Sequence, residues 1–487
     1  MTLPRHIFVL MLENRSFDHF FGQSGLPGVP PPDATKWSVT ANATDRIRKD
    51  LGHELHDVSA EMATVSGVPM MGFETMKPSP ADTMAEFSAG ALPVVRELAR
   101  QFVLFDNWFS SMPGPTWPNR FFVHAGSSGG LTNSPSDFTS LLAVNISSLE
   151  FKFANGTIFE RLVREQKKWR VYYEGMFPQV LSVQGMIKNR SDSRLFRDLN
   201  VGSTSDPFAT DLNGSYDVDY TFLEPNHGIP FGNGDSQHAP FSVAKGERLI
   251  KYVYETLRAS PIWPDSALLV TWDEHGGFFD HVVPPQAAAP GDAPVNHGRE
   301  KVKPSTFGFG QLGVRVPALL ISPFVPKGVL GTTLFPNASF DHTSVISSLQ
   351  QLFQMTGGPL TNRDAAAPSF VGAFQAQQRA DCPLKLPDAQ VAAQTMAAFS
   401  NDAVPALEPL PSDSAVDGYL LIARALDVSM TDQGLIPQSI ASEHPALVRH
   451  TMTLQRLAPN EPVPALSVEE KLNYMQHVAE ALGKTKS

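Results

Sequence analysis

The sequence predicts an α/β fold in which helices cover both faces of a mostly parallel β-sheet. Four short apolar runs, at residues 7–12, 103–105, 267–272 and 316–321, have the pattern of strands that are buried on both faces. Segments with helical periodicity lie between and after these runs. Strands that alternate with helices along a chain are typical of a sheet with helices packed on both sides.

Three helices are predicted in the same part of the chain. Residues 243–258 place apolar side chains on one stripe, as an amphipathic helix does. Residues 157–166 have a similar pattern. A third helix is predicted over residues 344–353, and Asp341 or Thr343 has the side chain needed to cap its first turn.

The length and composition indicate one large domain with an attachment. The chain has 487 residues, of which 42% are hydrophobic and 18% charged, and this is enough apolar material for a large core. A stretch rich in Pro and Ala, residues 404–411, precedes two amphipathic segments at 416–426 and 468–482. We therefore expect a catalytic domain at residues 1–400 and a helical C-terminal extension at residues 401–487.

The charge balance and the apolar runs limit the partners and the compartment. A net charge of −11 argues against a protein that coats nucleic acid, which needs a basic surface. The apolar run at 7–12 is short and lacks a small-residue cleavage site, so it predicts a buried strand instead of a signal peptide. No run is long enough to cross a bilayer. We expect a soluble protein, either cytoplasmic or exported without an evident signal peptide.

Oxygen-bearing side chains follow two of the predicted strands. Glu13 and Asn14 come directly after the first strand, and Asp273 and Glu274 come directly after the third. Ligands of open α/β sheets bind outside the carboxyl ends of the strands. Three carboxylates there would suit one divalent cation that prefers hard oxygen ligands, such as calcium, magnesium or manganese. The alternative is that these side chains cap helices or bind loop amides.

A stiff loop between residues 110 and 120 carries a candidate nucleophile. Three prolines surround Thr116, and a helix is predicted to start at Pro118 or Asn119. A threonine hydroxyl attacks phosphorus only when a cation or a base stabilises the developing alkoxide. The start of a helix would also favour a bound phosphate. The residues of the loop by themselves leave Ser110 and Ser111 as alternatives.

Three motifs together resemble a known enzyme family. They are Glu-Asn-Arg-Ser-Phe-Asp-His at 13–19, Pro-Gly-Pro-Thr-x-Pro-Asn-Arg at 113–120, and Asp-Glu-His-Gly-Gly-Phe-Phe-Asp-His at 273–281. In this order they resemble the phosphoesterases that include phosphatidylcholine-type phospholipases C and related acid phosphatases. The resemblance covers residues 6 to about 355. It implies an alkaline-phosphatase-like α/β/α sandwich and hydrolysis of phosphoric esters.

The resemblance also implies a role for individual residues. Thr116 would form a covalent phospho-enzyme. His53 and His238 would contact the phosphoryl group and protonate the leaving alcohol, and Asn14 would lie beside that group. The residues expected to hold one divalent cation are Glu13, Asn14, Thr116, Asp273 and Glu274.

Other polar residues are alternatives or structural candidates. Related acid phosphatases supply a further histidine to the phosphate, but the surroundings of His227 do not match that motif, and Tyr172 or Tyr173 could replace it as a hydroxyl donor. His56 could replace His53 if that segment is helical. Structural roles are expected for the remaining histidines of the motifs, namely His19, His275, His281 and His342.

The substrate is open between two classes. A phospholipase C would convert phosphatidylcholine or a similar phospholipid to diacylglycerol and a phosphorylated head group, with possible peripheral contact with a membrane surface. An acid phosphatase would hydrolyse phosphomonoesters. A non-catalytic phospholipid-binding protein on the same fold is a third possibility. Aromatic residues could line an apolar approach or belong to the core: Trp37, Trp108, Trp117, Phe121, Phe122, Phe278 and Phe279.

Overall fold

A computed structural model gives the architecture of most of the chain. It describes residues 3–76, 79–135, 150–199, 201, 206–230, 232, 234–294, 296–297, 300–301, 306–389, 413–449 and 466–485. The predicted boundary near residue 400 lies outside these ranges, so it remains a prediction.

The centre of the protein is an eight-stranded sheet with strand order β10-β2-β9-β6-β1-β5-β3-β4. All pairings within it are parallel except those of β9, which runs antiparallel to both β2 and β6. The strands are β1 His6–Leu12, β2 Val103–Phe105, β3 Trp169–Tyr173, β4 Phe196–Asp198, β5 Tyr220–Glu224, β6 Ser266–Trp272, β9 Ala318–Ile321 and β10 Val329–Leu330, and a separate hairpin is formed by β7 Asn296–His297 and β8 Glu300–Lys301.

Helices form a layer on each side of this sheet. α4 and α8 each contact α9, whereas α5 contacts α6 and α11, and α11 contacts α12. The helices of the first 389 residues are α1 Phe17–Phe21, α2 Leu55–Glu61, α3 Pro80–Thr83, α4 Pro93–Gln101, α5 Thr116–Ala125, α6 Ile158–Arg164, α7 Met186–Asn189, α8 Pro207–Asn213, α9 Val243–Ala259, α10 Gly331–Leu334, α11 Thr343–Leu352 and α12 Asn362–Ala366. The predicted α/β/α architecture is therefore confirmed.

The strands predicted from apolar runs are all present, and their burial explains why. Every residue of β1 and β6 is buried, as expected for strands covered on both faces. β1 lies in the middle of the sheet, between β5 and β6. The predicted strand at 316–321 is shorter, because pairing begins only at Ala318.

Local side chains set the ends of the predicted helices. Thr157 and Glu160 form a capping box, in which each side chain accepts a hydrogen bond from the other residue's backbone N–H, so α6 begins after Thr157. The prediction for the cap of α11 was wrong, since His342 occupies that position. Asp341 nevertheless accepts a hydrogen bond from the backbone N–H of Thr343 at 2.9 Å.

The C-terminal part described by the structure is helical, as predicted. It contains α13 Asp413–Asp432, α14 Ile440–Glu443 and α15 Val468–Thr485. α13 packs against α15 and against α7 of the preceding part of the chain. None of the helices within the described ranges combines the length and the apolar character that a bilayer span requires.

Candidate active site

Thr116 is the first residue of α5 and lies in a rigid turn. Asn119 stabilises this turn: its Oδ1 accepts from the backbone N–H of Met112 at 3.0 Å, and its Nδ2 donates to the carbonyls of Gly114 at 2.8 Å and Pro115 at 3.1 Å. α5 begins at Thr116, two to three residues before the predicted start at Pro118 or Asn119. Pro118 is the third residue of the helix, and a proline is compatible with the first helical turn. Thr116 thus lies at the N-terminus of a ten-residue helix.

The carboxyl ends of β1 and β6 bring the predicted ligands to one edge of the sheet. Leu12 of β1 pairs with Trp272 of β6, so the residues that follow each strand lie side by side. Asn14 adopts a left-handed backbone conformation, with φ of 59°, and its backbone N–H donates to Asp273 Oδ1 at 3.1 Å. The Thr116 hydroxyl donates to Asn14 Oδ1 at 3.1 Å, which joins the helix to the two strand ends.

A buried arginine that the sequence analysis missed holds part of this edge together. Arg120 lies one turn after Thr116 on α5, and its guanidinium is 3.4 Å from Asp273 Oδ2 and 3.3 Å from Glu224 Oε1. All three side chains are inaccessible to solvent. Because a guanidinium has several donors, Arg120 can bind both carboxylates at once.

The carboxylates at this edge fit a cation. Burial raises the pKa of Asp273 to about 8, and Arg120 opposes this effect while Glu13 and Glu274 add to it. Glu274 Oε1 is buried and has no hydrogen-bond partner within the described part of the chain. Glu274 Oε1 therefore has lone pairs free to bind a hard divalent cation, which prefers oxygen ligands.

Two other groups of side chains are more compact. Asp50, His53 and His238 each bring one ligand atom within 4.8 Å of the others, as do Asp18, Asp280 and His281. The carboxylates of Glu13, Asp273 and Glu274 are not among the groups that meet this criterion in the described ranges. Asp273 Oδ2 accepts a hydrogen bond from Arg120, and Asp273 Oδ1 accepts hydrogen bonds from backbone amides. The predicted ligands therefore lie at one edge of the sheet, but their ligand atoms are farther apart than those of these two clusters.

His53 and His238 face each other, with Asp50 beside both. Their ring centroids are 5.7 Å apart. His53 Nδ1 donates to the carbonyl of Leu51 at 2.7 Å, and its Nε2 lies 3.9 Å from Glu274 Oε1. His238 Nδ1 binds the carbonyl of the next residue, which leaves its Nε2 4.0 Å from Asp50 Oδ2. Both residues line the same small cavity, together with Thr116.

His227 is a second residue whose position the sequence did not indicate. Its Nδ1 is 3.0 Å from Glu13 Oε1 and its Nε2 is 2.9 Å from Glu224 Oε1. Burial opposes protonation, but these two carboxylates raise the pKa of His227 to about 9. Burial also disfavours the charged form of Glu13 and would raise its pKa, but the nearby His227 lowers that pKa to about 2. The pair is a charged contact on the wall of the site.

Helix α13, in the predicted C-terminal extension, forms part of the wall of the site. A cavity of about 20 Å³ is lined by Glu13, His53, Thr116, Trp117, Ser134, His227, Ile229, His238, Val416 and Tyr419. The last two belong to α13. The ring of Tyr419 lies 5.3 Å from that of Trp117 and 5.5 Å from that of His227, measured between centroids. The predicted tail is therefore part of the wall around Thr116.

The alternatives left open by the sequence lie elsewhere. The Tyr172 hydroxyl donates to Asp211 at 2.6 Å, and Tyr173 lines a different cavity, so the expectation of a tyrosine donor from β3 was wrong. The side chain of His56 is 81% exposed and points away from the cavity lining. Ser110 and Ser111 do not line the cavity either; the Ser110 hydroxyl donates to a loop carbonyl at 3.3 Å.

The remaining histidines of the motifs have structural contacts, as expected. His275 Nε2 lies 2.7 Å from Glu61 Oε2, and His342 Nε2 donates to the carbonyl of Asp273 at 2.6 Å. His281 binds Asp18 at 2.5 Å, and His19 donates to the carbonyl of Ala85 at 2.7 Å. The aromatic residues weighed for an apolar approach are all buried, and only Trp117 among them lines the cavity.

The chain is similar in sequence to known proteins. The Phosphoesterase family profile matches residues 4–356. Non-specific phospholipase C1 of Arabidopsis thaliana is 32% identical over 87% of this chain and 82% of its own length. Non-specific phospholipase C6 of the same plant is 32% identical over 78% of this chain and 74% of its own length. The non-hemolytic phospholipase C of Pseudomonas aeruginosa is 28% identical over 72% of this chain and 54% of its own length.

Solved structures give a more distant likeness. A protein of the alkaline phosphatase superfamily from Vibrio parahaemolyticus is 13% identical, with a TM-score of 0.35 over 89% of this chain and 88% of that one. The assignment to a family rests on the sequence match. This match extends from β1 to the end of α11 and contains every strand of the central sheet. The chain belongs to the phosphoesterase family and is a phosphoric ester hydrolase.

Proposed function

We propose that the chain is a metal-dependent phosphoric ester hydrolase of the phospholipase C type, which acts through a phosphothreonine at Thr116. The observation that carries this proposal is the contact between the Thr116 hydroxyl and Asn14, at a helix N-terminus beside the carboxylates that follow β1 and β6. We propose residues 1–400 as the catalytic domain and 401–487 as a C-terminal extension.

The cation would be held by oxygens that already face this edge: those of Glu13, Asn14, Thr116, Asp273 and Glu274. Calcium, magnesium and manganese all suit such a set of hard oxygen ligands. When bound, the cation would supply the positive charge that favours an alkoxide at Thr116 and offsets the charge of the phosphoryl oxygens. Glu274 Oε1 accepts no hydrogen bond from the described residues, and this supports the proposal because it leaves one ligand oxygen available to the cation.

The proposed reaction has two displacements at phosphorus. In the first, Thr116 Oγ1, as the alkoxide left when its hydroxyl proton passes to solvent, forms a bond to phosphorus while the bond to the leaving alcohol oxygen breaks, and His53 or His238 gives a proton to that oxygen. In the second, water attacks the phosphothreonine, the bond from phosphorus to Oγ1 breaks, and the histidine recovers a proton from the water. Asn14 and the N-terminal amides of α5 hold the phosphoryl oxygens meanwhile.

The names of the relatives support a phospholipid substrate. The plant relatives are named non-specific phospholipases C, and Phospholipase C B of Mycobacterium tuberculosis is also similar, at 27% identity over 76% of this chain. For a phospholipid the products would be diacylglycerol and a phosphorylated head group, and contact with a membrane surface would be peripheral. A protein that only binds phospholipid would need no nucleophile, yet Thr116 and the carboxylates are all present.

One observation favours a second candidate, a phosphatase for small phosphomonoesters. The cavity at Thr116 has a volume of only about 20 Å³, with Val416 and Tyr419 of α13 in its wall. A phospholipid head group needs more space, so α13 would have to move during lipid hydrolysis. A small monoester would need a smaller movement.

The test compares three substrates: p-nitrophenyl phosphate, p-nitrophenyl phosphorylcholine and phosphatidylcholine vesicles, each with and without EDTA. We expect chelator-sensitive hydrolysis of the two diesters. We expect Thr116→Ala to lower kcat by roughly a thousandfold or more and Thr116→Ser to retain much of it. Ser110→Ala and Ser111→Ala are matched controls that should stay active.

Trapping the intermediate makes the test specific. Enzyme that is acid-quenched during turnover of p-nitrophenyl phosphorylcholine should carry one phosphorylcholine group on the peptide that contains Thr116, detected by mass spectrometry. Full activity of Thr116→Ala would refute the nucleophile, and hydrolysis of the monoester alone would replace the phospholipase proposal with the phosphatase.

A further inference from the structure

A second cavity lies at the C-terminal half of α13, whereas the cavity at Thr116 lies at its N-terminal part. Its volume is about 500 Å³, within the range of roughly 300–1,000 Å³ that is usual for small-molecule sites. It is bounded by the ends of β3 and β4, by the segment after α7, and by the C-terminal half of α13. It shares no lining residue with the cavity at Thr116. The known motifs of the sequence do not account for it.

Arg190 is the polar centre of this cavity. The Nε and Nη2 atoms of its guanidinium are buried and have no hydrogen-bond partner among the described residues. Its guanidinium carbon lies 5.9 Å from the centroid of the Tyr173 ring, which is a cation–π contact. A buried guanidinium N–H without an acceptor is costly, so these two donors favour an anionic group bound in the cavity.

Two other charged groups belong to the lining. Arg197 is a second guanidinium, and its Nη2 lies 3.4 Å from Asp211 Oδ1 outside the cavity lining. Asp198 is the one carboxylate among the lining residues. Ser191 and Ser429 add hydroxyl groups that can donate to an anion. Because Arg197 is paired with Asp211, Arg190 is the guanidinium of the lining that can accept a new anionic partner.

Apart from Ser193 and Gln433, the rest of the wall is apolar. Ile187 and Phe196 line one side, and Leu426, Met430 and Leu482 line the other, and all five side chains are buried. Such a surface gains free energy when it covers an alkyl chain, by about 25 cal/mol for each Å² of apolar surface removed from water. A ligand that uses both parts of the cavity therefore has an anionic head and a hydrocarbon tail.

We propose that this cavity binds an amphiphile with a single anionic head, with the head on Arg190 and the alkyl chain between β4 and α13. The head can be a carboxylate or a phosphate group, because both accept from a guanidinium in the same way. This site is separate from the cavity at Thr116, and its occupant is not the substrate.

Occupation of the cavity is coupled to the active site through α13. Leu426, Ser429 and Met430 line the amphiphile cavity, and Val416 and Tyr419 of the same helix line the cavity at Thr116. A ligand that bridges β4 and α13 stabilises the docked position of this helix. An effect of the ligand on turnover rests on the proposed function, whereas binding itself does not.

The experiment measures binding by isothermal titration calorimetry, with the full-length Thr116→Ala protein so that no probe is turned over. Laurate and dodecylphosphonate, both below their micelle concentrations, distinguish a carboxylate head from a phosphate head. Acetate tests the head alone, and dodecyl maltoside tests the chain alone. We expect saturable binding of at least one anionic amphiphile and much weaker binding of the two controls.

Two substitutions decide whether Arg190 makes the site. Arg190→Gln should weaken binding by about tenfold or more, as expected for the loss of charge-assisted hydrogen bonds. Arg194→Gln is the matched control, because Arg194 is nearby but 85% exposed and paired with Asp192. Its affinity should stay within about twofold of the parent. If Arg190→Gln folds poorly, Arg190→Lys, which keeps the charge, should bind with an intermediate affinity.

Several outcomes would overturn the proposal. They are a lack of saturable binding, equal binding of dodecyl maltoside, equal binding of acetate, or equal effects of the substitutions at Arg190 and Arg194. Because the measurement is binding to a protein without the candidate nucleophile, none of these outcomes depends on whether Thr116 forms a phospho-enzyme.

Discussion

The Thr116 hydroxyl donates a hydrogen bond of 3.1 Å to the side chain of Asn14, and this contact joins the N-terminus of α5 to the end of β1. Asn14 also lies 3.4 Å from His53, measured between Asn14 Nδ2 and His53 Nε2. One amide therefore connects the proposed nucleophile with a proposed proton donor. Its position depends on the left-handed backbone of Asn14, which is unfavourable for most side chains but open to asparagine and glycine.

Asn14→Gly removes the amide and keeps the backbone conformation. We expect kcat to fall by roughly a hundredfold to a thousandfold, as on removal of a donor that stabilises an oxyanion, with little change in stability. Steady-state kinetics and urea unfolding measure the two quantities. Gln354→Gly is the control, because Gln354 is exposed and also has a positive φ, of 52°. Near-normal kcat in Asn14→Gly would show that the amide has no part in turnover.

Arg120→Met should destabilise the fold strongly. The substitution leaves Glu224 and Asp273 buried without their shared guanidinium, so we expect the free energy of unfolding to fall by about 3–5 kcal/mol. Arg100→Met provides the comparison. Arg100 is half exposed and its contact with Glu97 is long, at 3.8 Å, so the substitution should lower the free energy of unfolding by less than about 1 kcal/mol. Equal effects in urea unfolding would contradict the role of Arg120.

Gly418→Ala should disturb the packing of α13 on the active site. A Cβ at Gly418 would lie 2.1 Å from Cζ2 of Trp117, so the helix or the indole has to shift, at a cost of about 1–3 kcal/mol. Gly483→Ala in α15 is the matched substitution, because a Cβ there meets no atom within 4 Å. Thermal unfolding and Trp fluorescence should change only in Gly418→Ala. No change there would mean that α13 does not pack on Trp117 in solution.

The buried His124 predicts a pH dependence of stability. Its ring packs against Phe159 and Phe222, both ring nitrogens lack hydrogen-bond partners in the described structure, and burial lowers its pKa to about 3. Between pH 6.5 and about 3 the unfolded chain takes up a proton that the folded ring does not. This contribution to stability is therefore complete above pH 6.5 and is lost as the pH falls, by roughly 1.4 kcal/mol for each pH unit.

His124→Phe should remove that part of the pH dependence. The expected result is a smaller loss of unfolding free energy than in the parent between pH 6.5 and 4, measured by urea unfolding at each pH. His56→Gln, which changes an exposed histidine, should follow the parent. Parallel curves for the parent and His124→Phe would refute a neutral, buried His124.

Strands could be predicted where an apolar run is itself enough to specify burial. This holds for β1, β2, β6 and β9, whose residues are all buried. β4 and β10 have only three and two residues, respectively, and take their conformation from neighbouring strands, so their local pattern is too weak to predict them. The antiparallel direction of β9 likewise follows from how the chain returns to the sheet, which no local pattern records.

The candidate site divides in the same way. Glu13, Asn14, Asp273 and Glu274 could be predicted because each follows a strand that is evident in the sequence. His227 could not, since its contact with Glu13 depends on a loop after β5 and spans more than two hundred residues of chain. A basic or aromatic residue in a long segment carries no signal of the partner that it meets after folding.

The sequence by itself determined the α/β class, the family, and the place of Thr116 and the carboxylates, because short apolar strands and their polar ends are local patterns. Only the tertiary structure decided what surrounds them. It brought Arg120 between two buried carboxylates, His227 beside Glu13, and Tyr419 of the C-terminal extension into the wall of the cavity. Such contacts join distant parts of the chain, and their geometry follows from packing of whole elements against one another.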